Sequence, residues 1–150
     1  MSTASDQSAR WRHEWLGWAL AFAALRFLLA ASFCDVFVYG EELEKATAGK
    51  ALLDGVGIST HLLPYHPYEG GGFVVSLLDA LAFSVVGESV LALKLVAIGL
   101  GVAILAMGWR FCERFAGRSS ARAFALLYVL APESVQANSL LALGIHYQAC

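Results

Sequence analysis

The chain has 150 residues, of which 59% are hydrophobic and only 15% charged, whereas a soluble domain is about half apolar and about one quarter charged. A mean hydropathy of +0.65 indicates a membrane protein, and the length allows about four spans of roughly 20 residues. The net charge of −2 disfavours nucleic-acid binding, which usually needs a clustered basic face. The three cysteines lie in or beside apolar runs and suggest neither a metal site nor a disulfide framework.

Residues 1–14 are predicted to form a disordered cytoplasmic tail, and residues 15–150 a membrane domain. The first apolar run extends from Leu16 to Val38, and Arg10 and Arg12 precede it. Because basic residues concentrate on the cytoplasmic side, the first helix should run from inside to outside.

Arg26 lies near the centre of this run, where a charge costs about 2.5–3.5 kcal/mol. It also argues against a cleaved signal peptide, the competing interpretation of the segment. The second apolar run, Phe73 to Val86, carries Asp79 in its middle. If the two helices pack antiparallel, Arg26 and Asp79 reach a similar depth, and we predict a structural ion pair between them. The alternative is that Arg26 snorkels to an interface or faces a polar cavity.

The only long polar segment, residues 39–72, is predicted to be an outer loop. Apolar positions between Glu41 and Leu53 recur at helical spacing, and Asp54-Gly55 is a typical helix stop. This pattern predicts a short amphipathic helix on the membrane surface, with a solvated connector as the alternative. The groups capable of chemistry in this loop are Glu41, Glu42, Glu44, Asp54, Glu69, His61, His66, Lys45 and Lys50.

The third predicted span is Val90 to Trp109, in which Lys94 should snorkel to the interface. Its glycines predict close helix contacts; they are Gly99, Gly101 and Gly108. The fourth run, Ala123 to Ala131, follows a connector with four arginines between Arg110 and Arg122. Four full spans would place that connector outside, against the positive-inside rule, and a shallow or re-entrant second run would remove the conflict.

Six short motifs follow one another along residues 15–135. They are Gly40-Glu41-Glu42, Ala48 to Gly55, His66-Pro67-Tyr68, Val86-Gly87, the arginine-rich stretch Trp109 to Arg122, and Ala131-Pro132. In this order they resemble the amino-terminal part of the GT-C membrane glycosyltransferases, a superfamily that includes protein O-mannosyltransferases and the lipid A aminoarabinose transferase.

The resemblance implies an all-α bundle that moves a sugar from a polyprenyl-phosphate carrier to an acceptor at the outer face of the bacterial inner (plasma) membrane. It implies Glu41 and Glu42 as catalytic carboxylates and His66 as a phosphate-binding residue. Tyr65 and Tyr68 could donate hydrogen bonds to the same phosphate, and we expect Glu69 to help bind substrate. The resemblance leaves open a divalent metal ion, names no other cofactor, and implies that 150 residues are an inactive fragment.

Two other functions remain open on the sequence. The chain could be a small non-catalytic scaffold whose loop carboxylates keep the outer surface soluble. It could also be a transporter fragment in which Arg26 and Asp79 line a substrate path, since charged residues inside membranes often mark such paths.

Overall fold

The computed structural model describes residues 13–33, 39–56 and 72–142, and these ranges contain six α-helices and no β-strand. In chain order the helices are α1 (Glu14–Phe33), α2 (Gly40–Leu53), α3 (Gly72–Val86), α4 (Val90–Ala116), α5 (Arg118–Val129) and α6 (Glu133–Asn138). The predicted all-α fold is therefore confirmed for these residues.

Helix α4 is the centre of the bundle. Helix α1 packs against α4 and α5, whereas α3 packs against α2 and α4. Phe22 of α1 is buried with Leu105 and Trp109 of α4 and with Ala121 of α5. Helix α1 packs on the face of α4 that carries Ile98 and Leu105, whereas α3 packs on the face that carries Ala92 and Val96. Helices α1 and α3 therefore lie on different sides of α4.

Helix α4 has sequence-encoded ends. The side chain of Ser89 accepts a hydrogen bond from the backbone N–H of Ala92 at 3.2 Å, as an N-cap should. Gly117 follows the helix with a φ of +82°, in the region that glycine adopts without strain. The chain can therefore turn sharply from α4 into α5.

Two of the three glycines expected to permit close helix contacts do so. A Cβ on Gly101 would lie 2.6 Å from the ring of Phe22, and one on Gly108 would overlap the ring of Phe124. Gly99 has no such neighbour within 4 Å. Aromatic rings from α1 and α5 thus occupy the space that the first two glycines leave on α4.

The predicted helix in the polar segment is confirmed as α2, but it is not a surface connector. Its buried face consists of Glu42, Lys45, Ala46 and Gly49. At Gly49 the backbones approach so closely that an added Cβ would lie 2.6 Å from the carbonyl oxygen of Ser76 in α3. The pattern misled because two charged residues of α2, Glu42 and Lys45, face the protein interior.

Helices α2 and α3 run in the same direction. Lys45 lies beside Gly72 at the start of α3, whereas Lys50 forms a 3.1 Å ion pair with Glu88 just beyond its end. The early part of α2 therefore meets the early part of α3, and the late parts meet as well.

Among the residues described, two of the four predicted spans, α1 and α4, are long and apolar enough to cross a membrane. The 15 residues of α3 and the 12 residues of α5 correspond to about 22 Å and about 18 Å of helix. Both lengths are below the roughly 30 Å of a hydrocarbon core. The prediction of four full spans is not confirmed.

The start of α1 and the start of α5 lie at the same end of the bundle. Glu14 accepts hydrogen bonds from Arg118 at 2.7 Å and from Arg122 at 2.7 Å. The arginine-rich connector therefore lies beside the amino-terminal end of α1. The two segments would share one side of a membrane if, of the helices between them, only α1 and α4 crossed it.

Candidate functional site

Glu42 belongs to a buried ion pair. Its side chain and that of Lys94 are fully buried, and Lys94 Nζ donates to Glu42 Oε2 at 2.6 Å. The other oxygen, Oε1, accepts the backbone N–H of Ala142 at 3.1 Å. Both oxygens are therefore committed to protein partners, and the carboxylate is fixed where α2 meets α4. This geometry suits a positioning or structural residue better than a base that must reach an acceptor.

Glu41 has a different environment although it is the neighbouring residue. Successive helical residues point about 100° apart, so Glu41 lies at the edge of the buried face and is partly exposed. Its Oε2 atom is buried and has no hydrogen-bond partner among the residues described. Of the two predicted catalytic carboxylates, Glu41 is therefore the one that keeps an oxygen for another group.

Asp79 is the second carboxylate with unused oxygens. Its side chain is fully buried in α3, and neither oxygen has a hydrogen-bond partner in the described part of the chain. The negative charge of Glu42 acts on it unfavourably. A buried polar group without a partner is costly, and Asp79 is the one carboxylate among the described residues with both oxygens in this state.

The predicted ion pair between Arg26 and Asp79 has no hydrogen bond, because neither carboxylate oxygen of Asp79 has a partner among the described residues. Arg26 is fully buried, and it donates instead to Ser139 at 2.7 Å and to Gln136 at 3.2 Å. Its guanidinium group also lies 4.9 Å from the centre of the Phe22 ring, within cation–π range. The prediction failed because it assumed that α1 and α3 pack together, whereas α4 separates them.

The far end of α2 carries a more exposed charge cluster. Lys50 pairs with Asp54 one turn later and with Glu88 beyond α3. The hydrogen bond to Asp54, followed by that to Glu88, raises the pKa of Lys50. Since all three side chains are at least one third exposed, this cluster is more important for aligning α2 with α3 than for stability.

The remaining predicted site residues lie outside the described ranges. They are the proposed substrate-binding residues Tyr65, His66, Tyr68 and Glu69. Their proximity to Glu41 therefore stays a prediction.

The described residues do not fit a divalent metal site. Ca²⁺ and Mg²⁺ take six or more oxygen ligands and Zn²⁺ usually takes four ligands, yet no group of three histidine, cysteine, aspartate or glutamate residues is gathered in the ranges described. Both oxygens of Glu42 are already occupied by Lys94 and Ala142.

Sequence reasoning missed the partners of the buried charges. Lys94 was expected to snorkel, yet it is fully buried against Glu42. A signal was present, because a lysine inside an apolar helix needs an opposite charge or an exit to water. Ser139 and Gln136, the partners of Arg26, lie more than 100 residues away along the chain and had no detectable sequence signal.

Comparisons of the chain with protein-family models, with curated proteins and with solved structures find no match.

Proposed function

We propose that this chain corresponds to the amino-terminal part of a membrane glycosyltransferase of the GT-C type. In this proposal it acts at the outer face of the bacterial inner membrane, where it takes a sugar from a polyprenyl-phosphate carrier. The observation that carries the proposal is the split between neighbouring carboxylates. Glu42 is held by Lys94, whereas Glu41 keeps a buried oxygen without a partner among the described residues.

The membrane setting is supported by the outer surface of the bundle. Large apolar side chains project from α1, α3, α4 and α5 and are more than 60% exposed; they are Leu20, Leu28, Leu81, Val85, Met107, Phe111, Phe115 and Leu127. Exposed apolar residues on four helices are expected when the solvent is lipid. In the proposed orientation the amino terminus is cytoplasmic, because Arg10 and Arg12 precede α1.

The chemistry requires one base near the outer end of α1. Glu41 would accept the proton of an acceptor hydroxyl while the acceptor oxygen forms a bond to the anomeric carbon of the sugar. The bond between that carbon and the phosphate oxygen breaks, and the polyprenyl phosphate leaves with the bonding electrons. Glu41 suits this role because its Oε2 atom has no hydrogen-bond partner among the described residues.

Glu42 would act as a positioning residue. Its bonds to Lys94 and to the backbone of Ala142 fix the first turn of α2, so that Glu41 presents its carboxylate from a rigid helix. His66, Tyr65 and Tyr68 would bind the carrier phosphate, and Glu69 would contact the sugar or the acceptor. These four roles follow from the resemblance and from residue chemistry.

The test uses a strain that lacks the complete gene and is complemented with it or with single variants. Glu41→Gln should lower the glycosylated product by at least about 100-fold, the lower limit for loss of a general base. Glu44→Gln is the matched control, since Glu44 is exposed on the same helix. Mass spectrometry of lipid-linked sugars and of glycans measures the effect. Wild-type product levels in the Glu41→Gln strain, at equal protein levels, would refute the assignment.

Asp79 favours a second candidate function, a transporter that carries protons or other cations. A fully buried carboxylate with unused oxygens is typical of ion paths through membranes. A shared path with Arg26 is disfavoured, because α4 lies between α1 and α3. This function predicts that Asp79→Asn abolishes cation-driven uptake while Glu41→Gln has no effect, the opposite of the transferase result.

A further inference from the structure

The cytoplasmic end of α4 carries a surface that the proposed transferase function does not use. Met107, Phe111 and Phe115 recur every four residues and form one exposed stripe, with exposed fractions of 64%, 64% and 71%. The two phenylalanine rings contact each other with their centres 4.7 Å apart. Arg110 and Arg114, also exposed, form the adjacent stripe on the same side of the helix.

The four arginines of the connector fall into two pairs. Arg118 and Arg122 are bound to Glu14 at distances of 2.7 Å. Within the described ranges, no carboxylate forms an ion pair with Arg110 or Arg114. The first pair therefore holds α5 against α1. The second pair is exposed, and Glu113 is the only acidic residue between Arg110 and Arg122.

The length of α4 determines how deep Arg110, Arg114, Phe111 and Phe115 lie in the membrane. Its 27 residues extend for about 40 Å, roughly 10 Å more than a hydrocarbon core. If Val90 lies at the outer boundary of that core, the excess corresponds to the last seven residues, Arg110 to Ala116. These residues then lie at the depth of the lipid headgroups on the inner side.

We propose that Arg110 and Arg114, together with the stacked rings of Phe111 and Phe115, bind anionic phospholipid in the cytoplasmic leaflet. The guanidinium groups would form charge-assisted hydrogen bonds with the headgroup phosphate. The aromatic rings would lie at the boundary between headgroups and acyl chains, where such rings are enriched. Charge complementarity selects this partner, since zwitterionic lipid offers no net negative charge to two unpaired arginines.

The inference rests on the proposed function, in which α4 crosses the membrane. The experiment therefore tests membrane insertion first and lipid preference second. Membranes that contain the full chain are first extracted with alkaline carbonate, which should leave an integral protein in the pellet. The chain is then purified in neutral detergent and mixed with equal amounts of phosphatidylglycerol and phosphatidylcholine. Native mass spectrometry counts the retained lipids of each kind.

The wild-type chain should retain more phosphatidylglycerol than phosphatidylcholine. The ratio of the two retained lipids should fall by roughly fivefold for each arginine removed. Arg110→Gln with Arg114→Gln removes both charges, whereas the corresponding double lysine variant keeps them and should retain most of the preference. Lys50→Gln, at the other end of the bundle, is the distant control. Both arginines are exposed, so these variants should fold normally.

A double glutamine variant that retains phosphatidylglycerol as well as the wild type does would overturn the lipid site and leave the transferase proposal intact. Equal retention of both lipids by the wild-type chain would do the same. Release of the chain by carbonate would overturn the membrane setting, and this inference and the proposed function would fail together.

Discussion

The buried pair of Glu42 and Lys94 gives the sharpest prediction about stability. Lys94→Met keeps the length and the apolar stem of the side chain and removes its charge. Glu42 then retains one hydrogen bond, from Ala142, and becomes an unpaired buried carboxylate. Because both side chains are 0% exposed and the pair is 2.6 Å apart, solvent cannot screen the remaining charge. We expect a loss of about 3–5 kcal/mol in the free energy of unfolding.

A double variant separates the charge from the packing. Glu42→Gln keeps a carbonyl oxygen for the N–H of Ala142, and in the Lys94→Met background it removes the unpaired charge. The double variant should therefore recover most of the lost free energy and lie within about 1–2 kcal/mol of the wild type. Glu42→Gln alone should be strongly destabilised, because Lys94 then becomes the unpaired charge.

Denaturant titration in mild detergent, followed by circular dichroism, gives the four free energies of the cycle. Lys50→Met is the control, since Lys50 pairs with Asp54 and Glu88 near the surface and its loss should have little effect. A Lys94→Met variant within about 1 kcal/mol of the wild type, with no recovery in the double variant, would show that the charges are hydrated and that this interpretation of the site is wrong.

Three further predictions follow from other contacts. Gly49→Ala should destabilise the packing of α2 on α3 by about 1–3 kcal/mol, because the new methyl group would lie 2.6 Å from the backbone carbonyl oxygen of Ser76. The same denaturant titration measures this loss, and an unchanged unfolding midpoint would contradict the close approach. Asp79→Asn should raise the free energy of unfolding, because it removes a buried charge without a hydrogen-bond partner among the described residues; a clear loss would indicate an unrecognised partner. Glu14→Gln should weaken the attachment of α5 to α1, so that hydrogen exchange in α5 becomes faster; unchanged exchange would mean that the two arginines do not depend on this carboxylate.

The sequence predicted the individual helices better than their arrangement. Apolar runs marked α1, α3, α4 and α5, and Asp54-Gly55 marked the end of α2 at Leu53. Periodicity gives the face of a helix and not its neighbour, so the packing of α1 against α4 instead of α3 was not predictable. The Arg26–Asp79 hypothesis failed at that step.

The sequence predicted only part of the candidate site, because the contacts that distinguish its residues are also long-range. The local motif Gly40-Glu41-Glu42 drew attention to two carboxylates, but only the tertiary structure distinguishes them. Glu42 finds its partners Lys94 and Ala142 at separations of 52 and 100 residues, and no sequence pattern encodes contacts over that distance. Charge balance inside an apolar helix could have indicated that Lys94 needs a partner.

The most direct test of the account is the side of the membrane on which each end of the bundle lies. Single cysteines are placed at His13, Asp54 and Arg118 in a chain whose native cysteines are replaced, and intact cells are treated with a membrane-impermeant thiol reagent. The account predicts labelling at residue 54 alone, since residues 13 and 118 share the cytoplasmic end. Labelling at residue 118 but not at residue 13 would contradict it, because the two segments joined through Glu14 would then lie on opposite sides.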